Sequence, residues 1–348
     1  MPSNPLLRTL IALCLGAIGA TIGYFLHLPV YLLTGPAIFI TILGLAGLQL
    51  SLDSRFRDAA FVVIGISIGA GITEEATAAV LTWPLAFVAL AIMLWAILFF
   101  SRAMLTRWFG DNRKTAILAS SPGHLSFVIS MGMDAGADVV RISVVQSVRL
   151  LALTLVVPFA ALFLGIEVNA SFTSADGTMS LPILAAILAV SLALGFALKR
   201  TGLPAPLLLG GLFTSTAAHA SGIVHGGLPA WVALPAFCIM GTLIGSRFSG
   251  ITLATLRQCF AAGVAITCVS VSLAFVAAVP VSRLLDMPVA HVLIAFAPGG
   301  LETMIAMGIV LGANPGFTAA AHVMRLLILT VLVPAMLGRK KPEAEPET

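Results

Sequence analysis

The stretch APGGLETM, Ala297 to Met304, sets a helix breaker, two glycines and a carboxylate inside a long apolar region. A helix crossing a bilayer in one piece avoids that combination. Proline removes a backbone donor, and glycine weakens the helix. A related stretch, SPGHLSFV, begins at Ser121 in an equally apolar setting. Two helix-breaking turns at matched places are a design feature, and the rest of the chain says in which solvent they sit.

The 348 residues are 59% hydrophobic and 9% charged, with a mean hydropathy of +1.10. A soluble domain carries about 25% charged residues. The apolar fraction here exceeds what one soluble core can hide, so the sequence reads as an all-α protein of several membrane spans. The net charge of +4 comes from short basic clusters between apolar runs, which points to membrane topology and away from nucleic acid. Cys14, Cys238, Cys259 and Cys268 lie in apolar segments without C-x-x-C spacing and read as small buried hydrophobes. No metal or other cofactor is expected. The N-terminal run LLRTLIALCLGAIGATIGYFL reads as a span, not as a signal peptide, because a related segment recurs later.

The chain repeats itself. SPGHLSFVISMGMDAGAD (Ser121–Asp138) aligns with APGGLETMIAMGIVLGAN (Ala297–Asn314), matching Pro122 to Pro298 and Gly123 to Gly299 at a spacing of 176 residues. RLLALTLVVP (Arg149–Pro158) aligns with RLLILTVLVP (Arg325–Pro334). LPVYLLTGP at Leu28 echoes LPAPLLLGG at Leu203, and AFVVIGISIGAG at Ala60 echoes AFCIMGTLIGSR at Ala236. The expected organisation is a first repeat over 1–165, a joining loop over 166–179, a second repeat over 180–338 and a disordered cytoplasmic tail over 339–348.

Each half holds about six apolar segments. If all six span, the halves are parallel. If the Pro-Gly segment is broken or re-entrant, five span and the halves are inverted. With Arg8 inside, the second choice puts Arg55, Arg57, Arg102, Arg107, Arg113, Lys114, Lys199, Arg200, Arg247 and the terminal Arg339, Lys340 and Lys341 on one side. The positive-inside rule selects that arrangement: two inverted repeats with both termini cytoplasmic. The two turns then approach the midplane from opposite faces. Irregular backbone there must be buried in protein or line a cavity. Each half-helix starting after Pro-Gly aims free N–H groups at that cavity.

Candidate binding residues follow from this geometry. Arg149 and Arg325 lie about 15 Å into their spans by helical rise. An intramembrane arginine marks a ligand site or a structural pair, and both readings stay open. Gln146 and His322 sit one turn earlier, on the same helix faces. Glu302, in the opening turn after Pro298, reads as a dipole cap, an ion ligand or a partner of Arg325. Its counterpart Ser126 is neutral, and His124 replaces Gly300, so the halves are chemically unequal. The candidate solute- or ion-binding set is Pro122, Gly123, His124, Ser126, Gln146, Arg149, Pro298, Gly299, Gly300, Glu302, His322 and Arg325. Asp134, Asp138 and Asn314 read as helix-end caps. Gly65, Gly69, Gly241 and Gly245 read as close-packing sites. Pro158 and Pro334 read as kinks or helix ends, and His219 and His225 as neighbours in a Gly-rich loop.

The duplicated Pro-Gly-Gly-Leu-x-x-Met turn, followed by Arg-Leu-Leu and a closing proline, resembles the AbrB family of bacterial membrane proteins. That family is described as two copies of a duplication domain and carries labels such as ammonia monooxygenase and transcriptional regulator. The first copy departs from the pattern, with SPGHLSF in place of APGGLET. A monooxygenase needs clustered metal ligands, and the six histidines form no such cluster in sequence. Direct gene control needs a DNA-binding module, which the short segments between spans cannot supply. The expectation is therefore a non-enzymatic secondary transporter of a small anionic or zwitterionic solute, with the bilayer as its other partner and a homo-oligomer left open. The alternative is a membrane sensor that acts on gene expression indirectly.

Overall fold

The computed structural model describes residues 5–70, 83–123, 125–163, 177–201, 205–300, 303–304, 307–308 and 311–338, with side chains excepted at Ser126, 160–163 and Pro315. Among these residues the secondary structure is thirteen helices, with one isolated β-bridge between Thr178 and Gly227. They are α1 (Pro5–Phe25), α2 (Tyr31–Leu45), α3 (Ser54–Ala70), α4 (Trp83–Trp108), α5 (Arg113–Ser120), α6 (Leu125–Ala135) and α7 (Val139–Phe163). The second half supplies α8 (Leu181–Lys199), α9 (Pro206–Ala220), α10 (Ala230–Ser246), α11 (Leu253–Leu285), α12 (Val289–Phe296) and α13 (Pro315–Leu337). Six of them are long and apolar enough to cross a bilayer. Trp95, Phe100, Phe196 and Val276 stand exposed on the outer surface, as lipid-facing side chains do. The protein is an all-α, multi-pass membrane protein.

This inverted solvent logic corrects the cysteine expectation. Cys259 is buried, but Cys14 and Cys268 are exposed on outward helix faces. In lipid, an apolar residue gains nothing special from the interior. The basic expectations hold a smaller correction: Arg102 and Arg107 ride on the last turns of α4 instead of a loop.

Hydrogen bonds fix which helix ends lie together. The Asp53 N–H donates to Thr9 Oγ1 (2.9 Å), and the Leu50 N–H to Ser249 Oγ (3.1 Å). Arg141 bonds Asp111 through a part-buried ion pair and reaches the Gln258 carbonyl (3.4 Å). Arg113 reaches the Met336 carbonyl (3.2 Å). The starts of α1, α3, α5, α7 and α11 and the ends of α2, α10 and α13 therefore share one end. Arg55, Arg57, Arg113, Lys114 and Arg247 lie there, and we call it the basic end.

The core divides into two large clusters and a small one of Ala12, Ile40 and Leu50. Of the large ones, one is built chiefly from α1–α3 and α8–α10, the other from α4–α7 and α11–α13. In the first bundle, α3 lies along α9 and α10 along α2. Glycines set the separation. A Cβ on Gly65 would stand 2.1 Å from the Leu208 carbonyl oxygen, and one on Gly69 2.6 Å from that of Leu212. The matched positions behave alike: Gly241 faces the Leu33 carbonyl at 2.3 Å, and Gly245 that of Ala37 at 2.8 Å. Small residues let these backbones touch. The register runs upward on both partners, so α3 parallels α9 and α2 parallels α10. Because α3 starts where α10 ends, the sequence-matched helices α3 and α10 run in opposite directions.

In the second bundle the Pro-Gly segment is a helical hairpin. α5 enters from the basic end, turns at Ser121–Gly123, and α6 returns beside it. Lys114 Nζ donates to the Ala135 carbonyl (2.9 Å), and the Asp138 N–H to Thr115 Oγ1 (3.0 Å), so entry and exit are neighbours. Its eight-residue entering arm is about 12 Å long, under half a hydrocarbon core. α12 enters from the far end, reached by the 33-residue α11, and the chain returns there before α13. Side-chain caps start the helices at these corners: Asn112 accepts from Thr115 N, Asp138 from Arg141 N and Asn314 from Phe317 N. Pro158 and Pro334 lie inside α7 and α13 and end neither helix.

Candidate functional site

Each turn begins with a deficit. Pro122 has no N–H for the Leu118 carbonyl four residues back, and Pro298 has none for that of Ile294. The last carbonyls of α5 and α12 are also orphaned by the end of the helix. Side chains one helix away supply donors. Gln146 Nε2 donates to the Leu118 carbonyl (2.9 Å), joining the Ser121 N–H (3.3 Å) in place of the hydrogen bond that Pro122 removes. One guanidinium nitrogen of Arg149 donates to the Ser121 carbonyl (3.3 Å). At the matched positions Arg325 donates to the carbonyls of Ala297 (2.7 Å) and Gly299 (2.9 Å). Both arginines are 1% exposed. Each cation also meets the negative end of a half-helix dipole.

Of the two sequence readings of the arginines, the structural one thus has visible contacts, with backbone carbonyls among the partners. His322 departs from the pattern of Gln146. Its Nδ1 faces the Thr318 carbonyl one turn back (2.9 Å), and its buried Nε2 has no hydrogen-bond partner among the described residues.

Between the two bundles lies a cavity of about 400 Å³. Gly123 from the first turn and Gly299 and Gly300 from the second line it, with Arg325 beside them. Toward the basic end it is lined by Arg57, Asp58, Lys199 and Arg247, and its walls carry Phe61, Leu150, Leu207 and Leu243. Arg57 and Asp58 pair at 2.7 Å and are half-exposed at the mouth. The two hairpins meet the first bundle unequally. Ala297, Met304, Met307 and Leu311 of the second hairpin join the first bundle's core, while Val128 of the first stays in its own. The second hairpin's residues therefore pack against the first bundle, and the cavity's charged lining lies toward the basic end.

The structure brings Gly123, Gly299, Gly300 and Arg325 to the cavity. Pro122, Pro298, Gln146, Arg149 and His322 stand behind the turns and do not line it. His124 and Glu302 lie outside the described residues, as does the side chain of Ser126. Sequence reasoning missed Arg57, Lys199 and Arg247 as site residues, because a basic residue at a span end is ordinarily read as a topology signal. Among the described residues no three His, Cys, Asp or Glu side chains gather as a metal-binding group. His219 belongs to the last turn of α9, not to the Gly-rich loop.

Residues 32–339 match the sequence model of the family described as AbrB, Transition state regulatory protein AbrB. Over 339 residues the chain is 26% identical to "Putative regulator AbrB" of Escherichia coli (strain K12), covering 93% of this chain and 94% of that one. Over 247 residues it is 27% identical to "Uncharacterized protein YhjN" of Bacillus subtilis (strain 168), covering 66% of this chain and 64% of the relative's length. With the family model spanning nearly the whole sequence, the chain belongs to the AbrB family.

Proposed function

We propose that the protein is a secondary transporter of a small anionic or zwitterionic solute, built from two inverted repeats and acting without chemistry of its own. One observation carries the reading: two Pro-Gly turns, entered by α5 from the basic end and by α12 from the far end, meet at a single cavity that also holds Arg325, Arg247 and Lys199. Broken helices meeting between repeats are how secondary transporters build a site that each face reaches in turn. Backbone N–H groups after the turns and the cationic walls favour negative charge. The apolar walls suit an organic acid with a hydrocarbon body. The clustering of Lys and Arg at one end supports a cytoplasmic basic end, with both termini inside and the bilayer a bacterial inner membrane. Reconstituted vesicles loaded with one organic acid and given its labelled form outside test the proposal. Counterflow of at least one acid in a broad panel supports it, and no counterflow of any contradicts it.

A second reading rests on the family description and on the printed name of the Escherichia coli relative, both of which speak of regulation. A membrane sensor would signal through a partner docked on the cytoplasmic stretch from Arg102 to Lys114 or on the tail. Removing residues 339–348 would then abolish an effect on gene expression while leaving any flux intact.

A further inference from the structure

The charges lining the cavity toward the basic end do more than mark a topology. A cation that only marks a cytoplasmic loop needs no fixed direction. Arg57 has one. Its Nε and Nη2 both donate to Asp58 Oδ1 (2.9 and 2.7 Å), and its guanidinium carbon lies 5.9 Å from the centre of the Phe61 ring. All three residues line the cavity. Lys199 is the opposite case. It ends α8, is exposed, and makes no hydrogen bond or ion pair among the described residues. Arg247 caps α10 and lines the same cavity. The described lining at this end thus holds Arg57, Lys199 and Arg247 against Asp58, a net charge of +2.

Arg325 supplies a second cationic pole beside the turns. It stands twelve residues before Leu337, the basic end of α13, or about 18 Å by helical rise. One cavity bridges that distance, and Leu150, Leu207 and Leu243 give it aliphatic walls. Its volume of about 400 Å³ lies at the small end of ligand sites, which run to about 1,000 Å³.

We propose that the solute is a short dicarboxylate and that Lys199 is the contact that selects it. One carboxylate sits under the turns, beside Arg325 and the backbone N–H groups there. The other meets Lys199 and Arg247. Asp58 answers the charge of Arg57, and the excess that remains belongs to the second carboxylate. A monocarboxylate leaves that excess unanswered, and a zwitterion sets an ammonium against it. The hydrocarbon between two carboxylates matches the leucines. This inference rests on the reading of the cavity as a solute site and narrows its substrate class.

The test measures binding and flux with the full chain in neutral-lipid membranes at neutral pH, where both carboxyls of a diacid are ionised. Thermal stabilisation in nanodiscs is titrated with short straight-chain dicarboxylates and with their half-amides, which keep the length and lose one charge. At least one diacid should bind at least tenfold more tightly than its half-amide, the effect of one charge-assisted contact. Lys199→Gln should abolish that preference, and Lys199→Arg should keep it. Arg200→Gln removes an exposed charge that does not line the cavity and should also keep it. Equal binding of diacids and half-amides in the unsubstituted protein overturns the proposal, as does a preference that survives Lys199→Gln. Counterflow separates this failure from a failure of transport. Half-amides that exchange as fast as diacids sink the dicarboxylate and leave a transporter standing. Diacids that bind selectively through Lys199 and never exchange uphold the site and sink transport.

Discussion

Replacing Arg325 with methionine should damage the protein more than the same change at Arg149, although the two are sequence equivalents. Arg325 holds two carbonyls at 2.7 and 2.9 Å, and Arg149 holds one at 3.3 Å. A hydrogen bond from a charged donor contributes about 1.5–3 kcal/mol. Two such bonds at Arg325 give about 3–6 kcal/mol, while the long single bond at Arg149 gives about 1 kcal/mol. Methionine also relieves the desolvation of a buried cation, an offset of about 1–2 kcal/mol at either site. The expected net loss is about 2–4 kcal/mol for Arg325→Met and near zero for Arg149→Met. Arg325→Lys should fall between, since one ammonium cannot fork across two carbonyls. Equilibrium unfolding in lipid-containing micelles measures the order, and amide exchange through 297–300 localises it. Equal losses at both sites, or a larger loss at Arg149, would refute the reasoning that these arginines act as donors to the turns.

Two further expectations follow from the packing. Gly65→Ala and Gly241→Ala should each destabilise by about 1–3 kcal/mol, since the new methyl group meets a backbone oxygen that cannot move aside. Gly308→Ala, with nothing nearer than 3.5 Å among the described residues, should be neutral or stabilising by up to about 1 kcal/mol; thermal unfolding of the three variants checks the contrast. Single cysteines replacing the exposed Asp134 and Arg283 should react with an impermeant thiol reagent from opposite faces of the membrane. Reaction of both from one face would contradict the opposed hairpins.

The sequence announces the turns and their arginines because proline, glycine and arginine are all costly inside a bilayer, so their paired recurrence has few innocent causes. The role of the arginines was not legible, since a backbone carbonyl leaves no mark in the sequence. A signal existed nonetheless. Pro122 and Pro298 each delete the donor owed to a carbonyl four residues earlier, and a polar side chain such as Gln146 at matched depth is where to look for its replacement. The cavity's cationic mouth was hidden for another reason. Arg57, Lys199 and Arg247 come from three separate helix ends, and only the crossing of α3, α8 and α10 brings them together. Charge at a span end satisfies the topology rule by itself, which masks a second use. The inequality of the hairpins was half visible. Chemical differences such as Ser121 against Ala297 can be read directly, but the burial of Met304 and Met307 against the first bundle comes from the packing of the two bundles, which leaves no local mark.

The central claim is that the cavity beneath the two turns carries a solute across the bilayer. Counterflow in reconstituted vesicles tests it most directly, with labelled organic acid accumulating against unlabelled acid on the other side. The account predicts accumulation for at least one small organic anion, reduced at least tenfold by the double substitution Lys199→Gln and Arg247→Gln in protein that still folds. Folded, correctly inserted protein that supports no counterflow for any acid in the panel would contradict it.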